Sequence, residues 1–255
     1  MILNKGEITK LGILSLRMGT IMQSSGASTG RIRITINRLI NAYGYLSYML
    51  ITHRTITITI LNDNSEPVFN SVMRTKPVGV NFKIISGISR MSLTIEQHPW
   101  KLEDIEKEID RLTEITPYSK ILRLTFVSLA GAGFCFISGG YLPEMAVAAL
   151  ATFIGLFARL EINRLGFNNY LSVFVAAFIA TSIASFFGKI IPEISMIHAS
   201  ATSVLFLIPG VPLINSLNDI IEGNILNGVI RAVDGFVISF MIALGILGSV
   251  LFYSL

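Results

Sequence analysis

From Ile8 to Met22 the apolar side chains Leu11, Leu14, Met18 and Met22 recur three and four positions apart. That spacing gathers them on one face of a helix. Ser24-Ser25-Gly26-Ala27-Ser28 interrupts the pattern, and Ser28 or Thr29 can cap a second helix reaching about Asn41. The period then shortens to two. Leu46–Ile51 and Thr55–Ile60 alternate and are rich in β-branched residues, so they predict strands. Asn62-Asp63-Asn64-Ser65 marks a turn before a third strand from Val68 to Arg74. Helical spacing returns from Lys83 to Glu96 and again from Trp100 to Ile115, where Leu102, Ile105, Ile109 and Leu112 share a face. Pro117 ends that helix. The order ααβββαα describes a compact α+β domain over residues 1–117.

Beyond Pro117 the amphipathic alternation gives way to five apolar segments of membrane length: about Ile121–Ile137, Tyr141–Ala158, Tyr170–Phe187, Ser195–Ser216 and Gly235–Tyr253. Gly139-Gly140 predicts a tight turn after the first. The fourth contains Leu207-Ile208-Pro209-Gly210-Val211-Pro212-Leu213-Ile214-Asn215, a break inside 25 uncharged positions between Glu193 and Asp219. A helix stopping at Ile208 would offer only 13 residues from Met196, short of the roughly 20 a span needs. The break is therefore expected at membrane depth. Its two prolines remove two backbone donors and its glycine adds freedom, so the helix must open. Open backbone in a bilayer has to be buried in protein or line a wet cavity. The expected architecture is a polytopic α-helical membrane protein of five spans, residues 118–255, behind an N-terminal cytoplasmic α+β domain.

Charge supports this division. Residues 1–117 carry 24 Asp, Glu, Lys and Arg side chains, and residues 118–255 carry 12, placed between the apolar runs. Arg111, Lys120, Arg123, Arg159, Arg164 and Arg231 fall on one side of the expected topology, against Lys189 on the other. The positive-inside rule makes the first side cytoplasmic, with the N-terminus inside and the C-terminus outside. The residues from Met1 to Lys10 mix charge with apolar side chains and lack the apolar core of a signal peptide. Arg31, Arg33 and Arg38 form the densest basic cluster, without the aromatic interleaving of a nucleic-acid surface. Anionic lipid headgroups are the more natural partner. Cys135 is the only cysteine, so no internal disulfide forms, and its apolar surroundings read as core.

With these residues in place, a resemblance emerges. The run from Leu207 to Asn215, followed by Asp219, Gly223, Gly228 and Arg231, resembles the threonine/serine exporter family, and looks most like the larger subunit of its split, two-gene form. The N-terminal half is similar in the helix leading into Gly26-Ala27, the strands that follow, and the Arg74 to Ser86 stretch. Nearly the whole chain is covered. The resemblance implies an exporter of small amino acids in a bacterial inner membrane, coupled to an ion gradient (a proton being the expected ion) and using no cofactor. It also implies a partner, a smaller membrane subunit of four spans, because this chain departs from fused members by stopping after its fifth span. Export of another small organic acid such as a dicarboxylate stays open, as do a membrane-anchored enzyme and an assembly subunit.

The broken span is the leading site. Free N–H groups at the start of the second half-helix suit a carboxylate, and free C=O groups at the end of the first suit an ammonium or cation. The candidate substrate-binding residues are Pro209, Gly210, Pro212, Asn215 and Asp219, the last two four apart on one face. Asn215 is expected to bond substrate or steady the open backbone, and Asp219 to take a proton or ammonium group. The competing reading makes Asp219 an interfacial acid and the prolines packing devices. Arg231 and Asp234, three apart, read as a gate or as a headgroup-level ion pair. Arg159, Glu161 and Arg164 set orientation. Ala199, Ser200, Ala201, Thr202 and Ser203 form a small-residue packing surface, with His198 near the outer end. Neither His53 nor His98 has a metal-ligand spacing, and Ser24-Ser25-Gly26 reads as a helix-ending turn. No nucleophile-elbow, Walker or dinucleotide motif occurs, so neither catalytic nor metal-binding residues are assigned.

Overall fold

The computed structural model describes residues 3–76, 79–115, 118–191 and 196–254. Pro117 and Glu193, as well as Ser195, expected to open the fourth span, lie outside the described residues. The chain forms two compact units. One comprises residues 1–116 with 211–232, and the other 117–210 with 233–255. The segment that follows the Pro-Gly-Val-Pro break thus belongs with the α+β elements.

In the first unit the amphipathic repeats become helices α1 (Lys5–Ser24) and α2 (Thr29–Asn41). Asn4 and Glu7 close a capping box at the start of α1, each side chain accepting from the other's backbone N–H. Strands β1 (Leu46–Ile51), β2 (Thr55–Leu61) and β3 (Pro67–Arg74) form an antiparallel sheet in that order, with Ile58 opposite Met49 and Ser71. Period-two alternation puts Ile56, Ile58 and Ile60 on the inner face, all fully buried, while Leu46, Tyr48 and Leu50 stand on the outer one. The close approach of α1 to the sheet needs glycine at two successive points. A methyl on Gly12 would overlap the Phe69 ring of β3, and one on Gly19 would lie 2.9 Å from Ile56 Cδ1 of β2.

Helices α3 (Phe82–Gln97) and α4 (Leu102–Thr113) complete the core with Ile85, Ile88, Ile95, Ile105 and Ile109. Ion pairs of Lys10 with Glu103 and Glu106, and of Arg17 with Asp110, join α1 to α4. They lie on the surface and set orientation more than stability. Tyr43 is buried against the same core and donates to the Trp100 carbonyl at 2.5 Å. Its hydroxyl is pushed up to about 12, first by burial and then by the Glu103 charge.

The second unit holds α5 (Lys120–Ile137), α6 (Leu142–Arg164), α7 (Asn169–Ile190) and α8 (Met196–Ser203), a 3-10 turn at Leu205–Leu207, and most of α10 (Ile225–Ser254). Gly139 takes φ +92° in the turn between α5 and α6, as its sequence suggests. Small residues carry the packing. Ala176, Ala177 and Ala180 are fully buried, and a methyl on Gly245 would lie 2.6 Å from the Phe174 carbonyl oxygen. Large apolar side chains such as Phe126, Phe136 and Phe236 point outward, the inverse of a water-soluble bundle. Among the described residues, four helices are long and apolar enough to cross a membrane, or up to five if a bent pair counts as one span.

That bent pair lies at the Pro-Gly-Val-Pro run, where the helix is expected to open. The helix stops, resumes as α9 (Gly210–Ile221), and bends by 60° across the break. Pro209 stands just before the new helix and Pro212 falls in its first turn, where a missing N–H costs no helical hydrogen bond. The last helix also begins earlier than Gly235, at Ile225. Asn227, Arg231 and Asp234 lower the hydropathy of its first turns without breaking the helix.

Two stability outcomes follow for the first unit. Ile58→Ala should cost about 2–4 kcal/mol through the cavity it leaves, read by chemical unfolding of the full-length protein with Trp100, the single tryptophan, as reporter. Between pH 10 and about 12 the unfolded chain loses the Tyr43 proton while the folded one keeps it, so stability present below pH 10 should drain away as pH rises. Tyr43→Phe should flatten that part of the pH–stability curve, and an unchanged slope would remove Tyr43 as its source.

A buried carboxylate at the start of helix α2

Helix α1 ends in a tight connection. Gly26 takes φ +91°, and Ala27 N–H bonds back to the Met22 carbonyl at 3.0 Å. Three residues later α2 begins, with Ser28 as its cap and no acidic residue in its own first turn. Its N–H groups and dipole therefore await a negative partner. The partner comes from 190 positions away. Thr29 N–H donates to Asp219 Oδ1 at 2.8 Å. Asp219 is fully buried, and its Oδ2 lies 3.4 Å from Arg231 Nε.

Neighbouring side chains of the 211–232 segment read the same loop. Asn215 Nδ2 donates to the Gly26 carbonyl at 2.7 Å, and Arg231 Nη2 to the Ala27 carbonyl at 2.9 Å. Asn227 Nδ2 donates to Thr29 Oγ1 at 3.2 Å and to the Ile51 carbonyl, at the end of β1, at 2.7 Å. Arg33 Nη2 donates to Asn224 Oδ1 at 3.0 Å. The Gly26 and Ala27 carbonyls and the Thr29 N–H are thus satisfied by side chains, as buried polar groups require.

The local sequence explains how α9 and α10 present these groups together. Asn215 and Asp219 share a face of α9, one turn apart, as their spacing predicts. Gly223 takes φ +81° to turn the chain, with Asn224 N–H closing onto the Asp219 carbonyl at 2.7 Å. Gly228 lets α10 lie directly on α9, since a methyl there would sit 2.8 Å from the Ser216 carbonyl oxygen. Ser216 Oγ donates to the Gly228 carbonyl at 2.8 Å. This close pairing brings Arg231 beside Asp219.

The expected residues are distributed unevenly. Asn215, Asp219 and Arg231 converge, and Pro212 opens the helix that carries the first two. Pro209 and Gly210 form the break itself, with Gly210 N–H on the Ile208 carbonyl at 2.9 Å. Arg231 takes Asp219 as its ionic partner, and Asp234 accepts from the Tyr170 hydroxyl at 2.5 Å, so the pairing expected from their spacing is replaced by two separate ones. Thr202 and Ser203 turn their hydroxyls onto carbonyls of their own helix, at His198 and Ser200. His198 Nδ1 lies 3.5 Å from Glu144 Oε2, a carboxylate only 3% exposed that also caps α6 through Tyr141 N–H. Cys135 is free and buried. Sequence reasoning missed Asn224, Asn227 and the receiving loop. The signals present were the glycines at 223 and 228 and an uncharged Ser-Ser-Gly-Ala-Ser-Thr stretch at 24–29.

A family described as "Putative threonine/serine exporter" matches residues 14–253. The chain belongs to this family. It is a family of membrane exporters, not enzymes. Among relatives, a protein of Klebsiella aerogenes named "Probable succinate transporter subunit YjjP" is 25% identical over 236 residues, covering 89% of this chain and 88% of its own. The threonine/serine exporter of Corynebacterium glutamicum is 28% identical over 222 residues, which are 82% of this chain and 44% of that protein. A "Probable threonine/serine exporter" of Mycobacterium tuberculosis is 24% identical, again over 44% of its length. No solved structure matches the chain.

Breaking the buried pair should be costly and non-additive. Arg231→Gln strands a buried carboxylate and should lose about 3–5 kcal/mol, while adding Asp219→Asn should recover part of that loss. Thermal unfolding of the full-length protein with both single variants and the double variant gives the cycle. Additive losses would show that the two groups do not depend on each other.

Proposed function

We propose that this chain is one subunit of an inner-membrane secondary transporter that exports small amino acids of the threonine and serine kind. Residues 1–117 form the cytoplasmic domain, and the rest spans the membrane five times, counting the broken helix as the fourth span. The N-terminus is inside and the C-terminus outside, as the excess of Lys and Arg on one side of the topology supports. The substrate site is built around the break, from Pro209, Gly210, Pro212, Asn215 and Asp219. Arg231 is the cation of that site, and a proton is the coupling ion.

The observation that carries this reading is the interrupted helix: apolar segments on either side of Pro209, a 60° bend, and a buried acid ten residues further on. A helix that merely anchored the chain would need neither the opening nor the acid. A second membrane subunit of four spans completes the transporter. The chain matches less than half of the Corynebacterium exporter, and the Klebsiella relative is named as a subunit.

Export of a dicarboxylate is a second reading, favoured by that relative's name. Threonine, serine and succinate share a carboxylate, whereas only the amino acids carry an ammonium group. The helix α2 N-terminus and Arg231 supply the chemistry common to all three. Asn215 and Asp219 already hold the Gly26–Thr29 loop, which supports a gating role for that loop beside its part in the site.

Cells expressing this chain with its four-span partner, loaded with labelled threonine, serine or succinate, provide the test. Asp219→Asn and Pro209→Ala should each reduce efflux of the true substrate by about tenfold or more, the scale of one lost charged contact. Unchanged efflux from equally expressed variants would sink the proposed site, and the label that leaves fastest identifies the substrate.

A further inference from the structure

The start of helix α2 holds more than a structural contact. Asp219 reaches it as a carboxylate from a distant part of the chain, is fully buried there, and accepts a hydrogen bond through Oδ1. Its second oxygen, Oδ2, makes no hydrogen bond among the described residues and faces the Arg231 guanidinium at 3.4 Å. A buried carboxylate oxygen normally accepts one or two hydrogen bonds, so the cradle is only partly matched to its occupant. Asn224 Nδ2, on the side chain whose Oδ1 accepts from Arg33, is another buried polar atom without a hydrogen-bond partner among the described residues.

The donors around Asp219 form a set that any carboxylate would use. They are the Thr29 N–H at the positive end of α2 and the Arg231 guanidinium, with Asn227 Nδ2 holding Thr29 Oγ1 and the Ile51 carbonyl behind them. The charged groups facing the site from its packed elements are Arg231 on α10, Arg33 on α2 and Glu222 at the end of α9. The Glu222 carboxylate lies over Gly30, where an added Cβ would collide with it. Space also exists beside the loop. A cavity of about 220 Å³ borders Gly26 and is lined by Gln23, Ser24, His53, Arg54 and Thr75.

From this geometry we propose that the α2 N-terminus and Arg231 form a binding site for the carboxylate of a small organic or amino acid. Asp219 fills that site from within the chain whenever the external carboxylate is absent. The two are competitors: an entering carboxylate takes the Thr29 N–H and Arg231, and Asp219 swings out with α9. Because Asn215 rides on the same helix face, its bond to the Gly26 carbonyl is released in the same movement. Exchange of one carboxylate for another thus frees the 211–221 segment from the 26–29 loop without leaving Arg231 uncompensated. This assignment rests on the exporter reading for its physiological ligand, although the site's chemistry can be read without transport.

Chemical rescue tests it. In full-length Asp219→Ala purified in detergent, the cradle loses its internal occupant and the melting temperature should fall. Sodium formate, acetate and succinate should each raise it again in a saturable way, beyond the effect of sodium chloride at matched ionic strength. The unaltered protein, its site already filled, should show little shift. Adding Arg231→Gln to Asp219→Ala should abolish the rescue. If the alanine variant does not fold, Asp219→Ser, whose shorter side chain still leaves the cradle open, takes its place, and formate should then slow amide exchange at Thr29 several-fold. Equal stabilisation by chloride, or rescue that survives Arg231→Gln, would overturn the proposal. Rescue without any efflux phenotype would leave the carboxylate site standing and remove the exporter reading. Efflux loss without rescue would do the reverse.

Discussion

The arrangement of the first unit turns on one constraint: a carboxylate removed from water must find positive partners. Asp219 is fully buried, and the groups that offset its desolvation are an arginine six residues into the next helix and the N-terminus of a helix from the opposite end of the sequence. Each partner is itself incomplete without the acid. Helix α2 has no acidic residue in its first turn, and Arg231 is largely enclosed, with its other bond to the Ala27 carbonyl. The three groups are therefore mutually dependent. That dependence explains why residues 211–232, apolar enough to be read as membrane sequence, pack with the α+β elements.

The glycines and asparagines around the pair follow from the same demand. Arg231 can reach Asp219 only if α10 lies directly on α9, which Gly223 and Gly228 permit by conformation and by the absence of a side chain. Asn215 and Asn227 then satisfy the Gly26 and Ile51 carbonyls, which would otherwise be buried polar groups with unmet demand. The second unit is governed by different physics. Its helices approach through alanine and glycine and turn phenylalanine outward, because close backbone packing rather than water exclusion holds helices together in lipid.

The sequence was informative where periodicity has one physical cause. Leu11, Leu14, Met18 and Met22 gather on the buried face of α1, and alternation in β2 places Ile56, Ile58 and Ile60 inside with no ambiguity of register. The break at Pro209 was legible for a similar reason, since proline has few places in a helix. Pairing across long distances was not. Arg231 and Asp234 are three residues apart, which favours each other on an isolated helix, yet each binds a partner more than ten residues away. Local spacing says which groups can meet on one surface. Which group is desolvated is set by the packing partner, and that partner leaves no periodic trace.

The break gains its meaning from what it connects. Upstream of it, α8 carries His198 beside the buried Glu144; downstream, α9 carries Asn215 and Asp219. A continuous helix would fix the relative rotation of these two sets of side chains. Pro209 and Gly210 remove that constraint, so α8 packs within one unit and α9 within the other, each unit enclosing its own carboxylate, Glu144 or Asp219.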